Sequence, residues 1–296
     1  MSYAYIALAN IIGGSTYAVT TAALKSFPAK DLMFLRMLFC ALMFVPLAWL
    51  ARRRLAGLGG GDWARMAAVG LFGYALPLTL GTYGVKLSSA SSASLLIGME
   101  PVTIVLLSGI FLGERLTGLK IASLIFGLTG ATLIAFQGPP SLSGAFTDRL
   151  KGDLILALHG CCWALYSVIG KAALERVDPL DFTAVTTIIC FFGVTVWACM
   201  GVEPSGWSGV PASGWFSMIY LAAAGGFLAV ILWNVALKKV EASRIANFIF
   251  LQPVIGVLFG VLISGDALTH WSLAGGALVL SGMWAATRED ATNLPA

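Results

Sequence analysis

The sequence predicts an all-α integral membrane protein in which ten transmembrane helices form an inverted repeat of two five-helix halves. Composition predicts the membrane location, because 58% of the residues are hydrophobic and only 11% are charged. A soluble chain is about 45–50% apolar and about 25% charged. The apolar runs are continuous and do not alternate with a period of two, which excludes an antiparallel membrane barrel. An internal duplication predicts the two halves.

Ten apolar stretches approach the roughly 20 residues that a helix needs to cross a bilayer. They are residues 3–24, 32–51, 64–85, 90–112, 118–137, 153–173, 182–201, 214–237, 243–263 and 269–287. The polar stretches between them have the size of loops and leave no room for a soluble domain. The sequence has no GxxxxGK[ST] phosphate-binding loop, so any energy for a process across the membrane must come from an ion gradient or a solute gradient.

The duplication is visible when Trp63–Ala135 is placed on Trp215–Thr287 with an offset of 152 residues. Identical residues in the two copies include Trp63 and Trp215, Gly73 and Gly225, Lys86 and Lys238, and Pro101 and Pro253. An offset of 150 aligns Ala22–Leu24 with Ala172–Leu174. Each half holds five spans, an odd number, so the second half enters the membrane in the opposite orientation, related to the first by a pseudo-two-fold axis in the membrane plane.

The predicted boundaries are 1–138 for the first repeat, 139–152 for a linker, 153–288 for the second repeat and 289–296 for a cytoplasmic tail. Lysine and arginine counts predict the orientation, because cytoplasmic loops are enriched in both residues. Twelve fall on the side of the termini and six on the other side, namely Lys25, Lys30, Arg36, Lys86, Arg149 and Lys151. Both termini are therefore expected in the cytoplasm, with the chain in a bacterial plasma membrane.

Two proline-containing segments occupy matching places in the two copies. Glu100-Pro101 lies in the first and Gln252-Pro253 in the second. A proline inside a helix removes a hydrogen bond to the carbonyl four residues back, which here frees Ile97 and Ile249. Paired, proline-interrupted segments in two halves are typical of the central binding site of a transporter.

Glu100 lies about 15 Å into its predicted span, at about 1.5 Å per residue. A carboxyl group at that depth is costly and is a candidate functional group. One interpretation is that Glu100 binds and releases a proton during transport. The other is that it fastens its helix by hydrogen bonding where Pro101 leaves carbonyls free. Gln252 could perform only the second role.

Polar and aromatic residues on several helices are predicted to line a central cavity. On the first span Asn10, Gly14 and Tyr17 share one helical face, and on the sixth His159, Trp163 and Tyr166 do so. The predicted binding residues are Asn10, Tyr17, Thr79, Tyr83, Ser94, His159, Trp163, Tyr166, Trp233 and Asn247. The alternative is that these residues only pack helices together. Tyr74 and Asn234, on the same predicted helices as Tyr83 and Trp233, are expected to contribute to this pocket.

This predicted pocket carries almost no fixed charge. Phosphorylated solutes would need buried arginine or lysine, whereas Lys86 and Lys238 lie at helix ends. A neutral or zwitterionic small molecule with an apolar side chain fits best. The other expected partner is the bilayer, with no nucleic acid. Gly109/Gly113 and Gly256/Gly260 are compatible with helix packing within a monomer or with a homodimer.

Enzymatic and metal chemistry lack a sequence basis. The chain has two histidines, and HxxxD, DDxxD and HExxH motifs are absent from it. The five cysteines lie in apolar runs without metal-ligand spacing. The sequence therefore predicts no catalytic residue, no metal and no cofactor. The charged turns Glu114-Arg115 and Lys238-Lys239 are interpreted as solvated helix ends.

The run from Glu100-Pro101 to Gly113-Glu114, the small-residue helix with Gly127 and Gly130, and the two five-helix repeats resemble the EamA branch of the drug/metabolite transporter superfamily. In the second copy Gln252 and Asp266 replace the two glutamates. Size and aromatic-rich helices are similar to those of YddG-type aromatic amino-acid exporters. The resemblance implies export of amino acids or similar small metabolites by alternating access. The alternatives are a carrier for another metabolite or drug class, a facilitative uniporter and, more distantly, an intramembrane enzyme or a non-transporting subunit.

Overall fold

The computed structural model describes residues 2–87, 99–136, 146–198, 204–259 and 269–292, which form helices and turns without strands. The α-helices are α1 (Ser2–Ala23), α2 (Ala29–Ala56), α3 (Gly60–Ala68), α4 (Leu76–Leu87), α5 (Met99–Phe111), α6 (Gly118–Phe136), α7 (Phe146–Leu174), α8 (Pro179–Ala198), α9 (Ala212–Tyr220), α10 (Ala229–Lys239), α11 (Ala242–Ala246), α12 (Leu251–Phe259) and α13 (His270–Thr292). Two π-helical segments, Val69–Ala75 and Leu221–Leu228, and two 3-10 segments, Pro204–Gly209 and Asn247–Phe250, complete the order.

The helices have the length and composition of membrane spans. Six stretches are long and apolar enough to cross a bilayer: Ala29–Ala56, Gly60–Gly81, Leu154–Leu174, Pro179–Val196, Ala212–Lys239 and Ala242–Phe259. Two shorter apolar helices are Glu100–Phe111 and Gly118–Ile134. Leu50, Ile110 and Val196 are more than 70% exposed, as expected of side chains that face lipid. The chain is thus a multi-pass membrane protein, as predicted.

Several helices extend beyond the predicted spans. α2 begins directly after Pro28 and continues to Ala56, with Asp31 in its first turn and Arg53 and Arg54 in its last. Acids at the start and bases at the end of a helix complement its dipole, which explains why α2 continues past its apolar part. Residues 90–98 and 260–263 of the predicted fourth and ninth spans lie outside the described residues.

Each helix packs mainly on helices of the other repeat, and equivalent helices of the two repeats have equivalent partners. α1 packs on α10 and α12, and its counterpart α7 packs on α4 and α5. α2 packs on the π-helical segment Leu221–Leu228, and α8 packs on Val69–Ala75. The remaining large contacts, α2 with α8 and α6 with α13, join counterparts directly. Each half thus contributes to the surroundings of the other, as expected of two intertwined copies.

α6 and α13 approach so closely that only glycine fits at their crossing. A Cβ atom on Gly130 would lie 2.5 Å from the carbonyl oxygen of Gly275, and one on Gly275 would lie 2.5 Å from that of Gly130. Such contacts let small residues hold membrane helices together by backbone packing. A Cβ atom on Gly256, in contrast, would have no described atom within 4 Å. The tight packing thus uses other glycines than Gly109 and Gly256.

The two π-helical segments stand at equivalent positions, since Val69 and Leu221 are 152 residues apart. Gly73 lies in the first and Gly225 in the second. A Cβ atom on Gly73 would come 2.9 Å from Cα of Tyr166, and one on Gly225 would come 2.8 Å from Cγ2 of Thr16. Wide π turns are rare and occur frequently at functional sites. Both copies therefore place a widened turn against the first helix of the opposite half.

Candidate functional site

Three aromatic rings from two helices meet beside the first π-helical segment. Trp163 and Tyr166 lie on α7, with ring centroids 5.8 Å apart, and Tyr74 lies 5.5 Å from Trp163 and 5.6 Å from Tyr166. Tyr74 and Tyr166 are buried, whereas Trp163 is only partly buried. We call Tyr74, Trp163 and Tyr166 the aromatic cluster. It provides apolar stacking surface with two phenolic hydroxyls.

His159 lies at the edge of the aromatic cluster. Its ring is 6.4 Å from that of Trp163, and its Nδ1 is 2.7 Å from the carbonyl oxygen of Pro77. That carbonyl orients the imidazole on α7 toward α4, because only a protonated Nδ1 can donate to it. His159, Trp163 and Tyr166 were predicted together, and the structure brings them together with Tyr74.

The hydroxyl of Tyr166 belongs to a buried polar group that spans three helices. Asn234 on α10 donates from Nδ2 to Tyr166 at 2.8 Å and to Oγ1 of Thr183 on α8 at 2.9 Å. The Oδ1 atom of Asn234 is buried and has no hydrogen-bond partner among the described residues. Buried polar atoms are rarely left unpaired, so this acceptor marks a place where a donor could be supplied.

Asn10 and Gln252 form a second polar contact, which joins the two halves. Gln252 donates from Nε2 to Oδ1 of Asn10 at 2.9 Å, and Asn10 donates to the carbonyl of Ile6 at 2.8 Å. Gly13 provides the space, since a Cβ atom there would lie 3.2 Å from Nε2 of Gln252. Gln252 thus fastens α12 to α1 at the predicted proline position.

The proline positions themselves differ in burial. Pro101 is buried in the first described turn of α5, with Glu100 half-buried beside it, and Pro253 is half-buried in α12. The helix before Pro253 tightens into the 3-10 segment Asn247–Phe250, which includes Ile249. This is where the missing proline donor frees a carbonyl. Ile97, the predicted equivalent, lies outside the described residues.

The other predicted binding residues are dispersed. Thr79 donates to the carbonyl of Ala75 at 3.0 Å within its own helix, and Trp233 packs partly buried against the core. Asn247 is buried and donates to the carbonyl of Ser243 at 3.3 Å, while its Oδ1 lacks a partner in the described part of the chain. The side chains of Tyr17 and Tyr83, and all of Ser94, lie outside what the structure describes.

Sequence reasoning missed the position of Arg36. The charge count placed it at a loop, but it lies two turns into α2, between apolar residues on both sides. Its Nη2 would be 3.4 Å from a Cβ atom added to Gly225, in the second π-helical segment. Its Nε is buried without a hydrogen-bond partner among the described residues. The signal was present in the sequence, because a single cation inside a long apolar run is a candidate functional group.

Glu114 also has a different role from the solvated helix end that was predicted. Gly113 adopts a left-handed conformation (φ +69°) that ends α5, and Glu114 then reaches the start of α11. Its carboxylate accepts from the backbone nitrogens of Ala242 at 2.7 Å and Ser243 at 2.9 Å, and from the Ser243 hydroxyl. The adjacent glycine and acid of this motif thus form a cap in trans on the N-terminus of another helix.

Charged residues beside this cap close the same end of the molecule. Glu241 contacts Nζ of Lys120 at 2.9 Å and Nε of Arg244 at 2.7 Å. Burial opposes ionisation of Glu241, but the hydrogen bonds and positive charges of Lys120 and Arg244 outweigh it and lower its pKa. Arg54 and Asp181 form a bidentate pair, with both contacts at 2.8 Å. These contacts join the last turn of α2 to the first turn of α8, and the first turn of α6 to the start of α11.

Comparisons with known proteins identify the family. The chain is 27% identical over 221 residues to the aromatic amino acid exporter YddG of Ancylobacter novellus, a match that covers 74% of this chain and 73% of that protein. It is 25% identical over 227 residues to a "Probable terminal-alkyne amino-acid exporter" of Streptantibioticus cattleyicolor, covering 74% of this chain and 70% of that one. A crystal structure with 23% identity superposes with a TM-score of 0.80 over 97% of this chain and 96% of the other, which supports the fold.

The family model of the EamA-like transporters matches twice, at residues 1–136 and 150–288, in agreement with the two-repeat fold and the resemblance of the Glu100–Glu114 motif. Together the two matches include the aromatic cluster, both proline positions and Arg36. The chain belongs to the EamA-like transporter family.

Proposed function

We propose that the protein is a secondary transporter that exports amino acids or similar small metabolites with aromatic or hydrophobic side chains. The observation that carries this proposal is the aromatic cluster of Tyr74, Trp163 and Tyr166, in which partly buried Trp163 offers a stacking surface. Binding sites for small apolar solutes combine such surfaces with a few polar groups. Asn234, with its unpaired Oδ1, supplies one such group beside Tyr166.

The relatives support amino acids as the class of solute. One is named as an exporter of aromatic amino acids and another as an exporter of terminal-alkyne amino acids. Their solutes differ in the side chain and share the amino-acid group. The exchanged packing of α1 and α7 supports alternating access, in which the two halves rock around a site between them. In this proposal the protein lies in a bacterial plasma membrane with both termini in the cytoplasm. It acts as a monomer or a homodimer, without nucleic-acid partners.

The test is uptake of radiolabelled amino acids into proteoliposomes, with and without a pH gradient. Phenylalanine flux should exceed that of glycine and of empty liposomes. Trp163→Ala should lower phenylalanine flux at least about tenfold, since truncating a stacking aromatic commonly costs more than about 1.4 kcal/mol. Trp49→Ala is the matched control, because Trp49 is 67% exposed on the outside of α2.

Absence of flux for every amino acid would overturn this proposal. Flux of other metabolites or drugs would then assign another solute class. Amino-acid flux that does not respond to a gradient would identify a facilitative uniporter. Equal phenylalanine flux in Trp163→Ala and wild type would remove the aromatic cluster from the site.

A further inference from the structure

We propose that Arg36 binds the carboxylate of the transported solute, a proposal that rests on the transport of amino acids proposed above. Sequence analysis predicted a pocket with almost no fixed charge. Arg36 changes that prediction, because it brings one permanent positive charge into the membrane interior. Four observations support this role: its position near corresponding segments of the two copies, its neutral neighbours, its unpaired donor and the absence of an ion pair to it among the described residues.

Arg36 lies against the second π-helical segment and within electrostatic range of the first. Its Nη2 would be 3.4 Å from a Cβ atom added to Gly225 in the second segment. Its guanidinium also interacts electrostatically with Tyr74, which belongs to the first segment. A group near corresponding parts of both copies lies close to the pseudo-two-fold axis that relates them, where inverted-repeat transporters bind their solutes.

The groups around the guanidinium do not neutralise it. The side chains with which it interacts electrostatically include Cys40, Tyr74 and Cys190, and thiols and phenols are uncharged at neutral pH. The ion pairs of the described residues do not include Arg36. Asp31, the acid on the same helix, accepts a hydrogen bond from Nε1 of Trp207 at 2.7 Å instead. The positive charge thus has no fixed counter-ion in the described part of the protein.

An arginine inside a membrane protein is expected to be paired, because an isolated charge there costs several kcal/mol. The buried cations Lys120 and Arg244 follow this rule, since both contact Glu241. Arg36 is the exception, and its Nε is a buried donor without an acceptor among the described residues. A guanidinium matches a carboxylate through two parallel hydrogen bonds, so an anion brought by the solute would satisfy both the charge and the donor.

The geometry also orients the solute. Tyr74 contacts both other rings of the aromatic cluster and lies within electrostatic range of the Arg36 guanidinium. An amino acid with its carboxylate on Arg36 can thus direct its side chain toward Trp163. The required solute is a small carboxylate with an apolar or aromatic side chain, rather than an amine without an acid group.

The experiment compares the exchange of three probes by the full chain in proteoliposomes: phenylalanine, phenylalaninamide and phenethylamine. The wild type should prefer phenylalanine over both other probes at least about tenfold, the value expected for one charged hydrogen-bonding contact. Arg36→Met should lose at least about tenfold in phenylalanine exchange and should no longer distinguish the three probes. Arg36→Lys should retain part of the preference. Arg53→Met, at the exposed end of the same helix, is the matched control.

Thermal unfolding in detergent separates binding from a structural role. Arg36→Met should unfold at the same temperature as the wild type or higher, because it removes an unpaired charge from the membrane interior. Phenylalanine should raise the unfolding temperature of the wild type and Arg53→Met but not that of Arg36→Met.

The proposal is overturned if Arg36→Met retains the phenylalanine preference, or if it fails to fold while Arg36→Lys folds, which would assign Arg36 a structural role. Either result leaves amino-acid transport by the wild type intact. Failure of the wild type to exchange any amino acid would instead overturn the proposed function itself. Wild-type exchange of phenylalanine and phenylalaninamide at equal rates would overturn the role of Arg36 alone.

Discussion

The two proline segments have the same place in the fold but different chemistry around them. In the second copy, the amide of Gln252 donates to Asn10 at 2.9 Å, and Gly14 allows α1 to approach the backbone of α12. In the first copy, Glu100 stands at the position of Gln252, on the helix that packs against α7. The 150-residue offset places Gly160 at the position of Asn10. Glu100 thus replaces the amide, and α7, which packs against its helix, has Gly160 where α1 has Asn10.

This difference distinguishes two places in the repeated scaffold. One is the contact of Gln252 with Asn10, which we call the joint, and the other is the proposed binding site on α5 and α7. Gln252 and Asn10 can only form a neutral hydrogen bond, which fixes α12 on α1. The same offset puts Trp163 at the position of Gly13, so α7 has a large aromatic ring where its counterpart α1 has no side chain. The groups with further chemistry, Glu100, Trp163 and Tyr166, all belong to α5 and α7. The asymmetry therefore indicates where the function departs from the symmetry of the fold.

The strongest way to break the comparison is Glu100→Gln, which gives the first copy the amide of the second. If Glu100 carries the coupling proton, a pH gradient of one unit should raise phenylalanine accumulation up to about tenfold in the wild type, since one unit corresponds to about 1.4 kcal/mol. We expect Glu100→Gln to lose this response while exchange without a gradient continues. Accumulation at several imposed gradients measures the effect.

Glu175→Gln is the control for this prediction, because Glu175 is an exposed acid in the turn after α7. Its accumulation of phenylalanine should follow the gradient as in the wild type. A full response in Glu100→Gln would leave Glu100 with only the structural role. The chemical difference between the two proline positions would then be unrelated to coupling.

The sequence predicted the helical membrane fold because apolar runs and the internal repeat depend on local composition and on spacing along the chain. It also brought His159, Trp163 and Tyr166 together, since steps of four and three on one helix place side chains on one face. It also placed Tyr74 in the predicted pocket, but the contacts of its ring with Trp163 and Tyr166 depend on how the first π-helical segment packs on α7 and could not be derived from spacing along the chain. Arg36 was missed for a different reason: counting charges by loop assigned it to a boundary before its depth was considered.

A second prediction tests the joint. Gly14→Ala adds to α1 the Cβ that its counterpart α7 already has at Ala164. That atom would lie 2.8 Å from the carbonyl oxygen of Gln252 and 2.7 Å from Cβ of Ile255. Because backbone cannot easily move away, we expect a loss of about 1–3 kcal/mol in the free energy of unfolding, measured by denaturation in mixed micelles.

Gly256→Ala provides the control for Gly14→Ala, as no described atom would lie within 4 Å of the Cβ that it adds. It should leave stability unchanged or raise it by up to about 1 kcal/mol, since alanine favours helix. If both variants have the stability of the wild type, α1 and α12 do not form the fixed joint that the comparison requires.

The charged cluster at one end of the molecule is not repeated at the equivalent positions of the two copies. Lys120, Glu241 and Arg244 form this cluster. The 152-residue offset pairs Lys120 with Ser272, and it pairs Glu241 and Arg244 with Ser89 and Ser92. The repeat thus supplies serines at the positions that correspond to the cluster. Serine side chains do not change their charge between neutral and acidic pH. Acid should therefore change the stability through the Lys120, Glu241 and Arg244 cluster but not through the serine positions.

Glu241→Gln tests this smallest effect. Lys120 and Arg244 lower the pKa of Glu241 in the folded protein. The cluster therefore stabilises the protein fully at pH values above the ordinary pKa of a glutamate, about 4.3. This contribution disappears as the pH falls through the lower pKa of the folded state. Because Glu241 is 41% exposed, screening limits the contribution to about 1 kcal/mol or less. The unfolding temperatures of wild type and Glu241→Gln should therefore differ at pH 7 and converge as the pH falls below the ordinary pKa of a glutamate. A difference that persists under acid would mean that packing rather than charge holds this end, and the contrast with the serine positions would then have another cause.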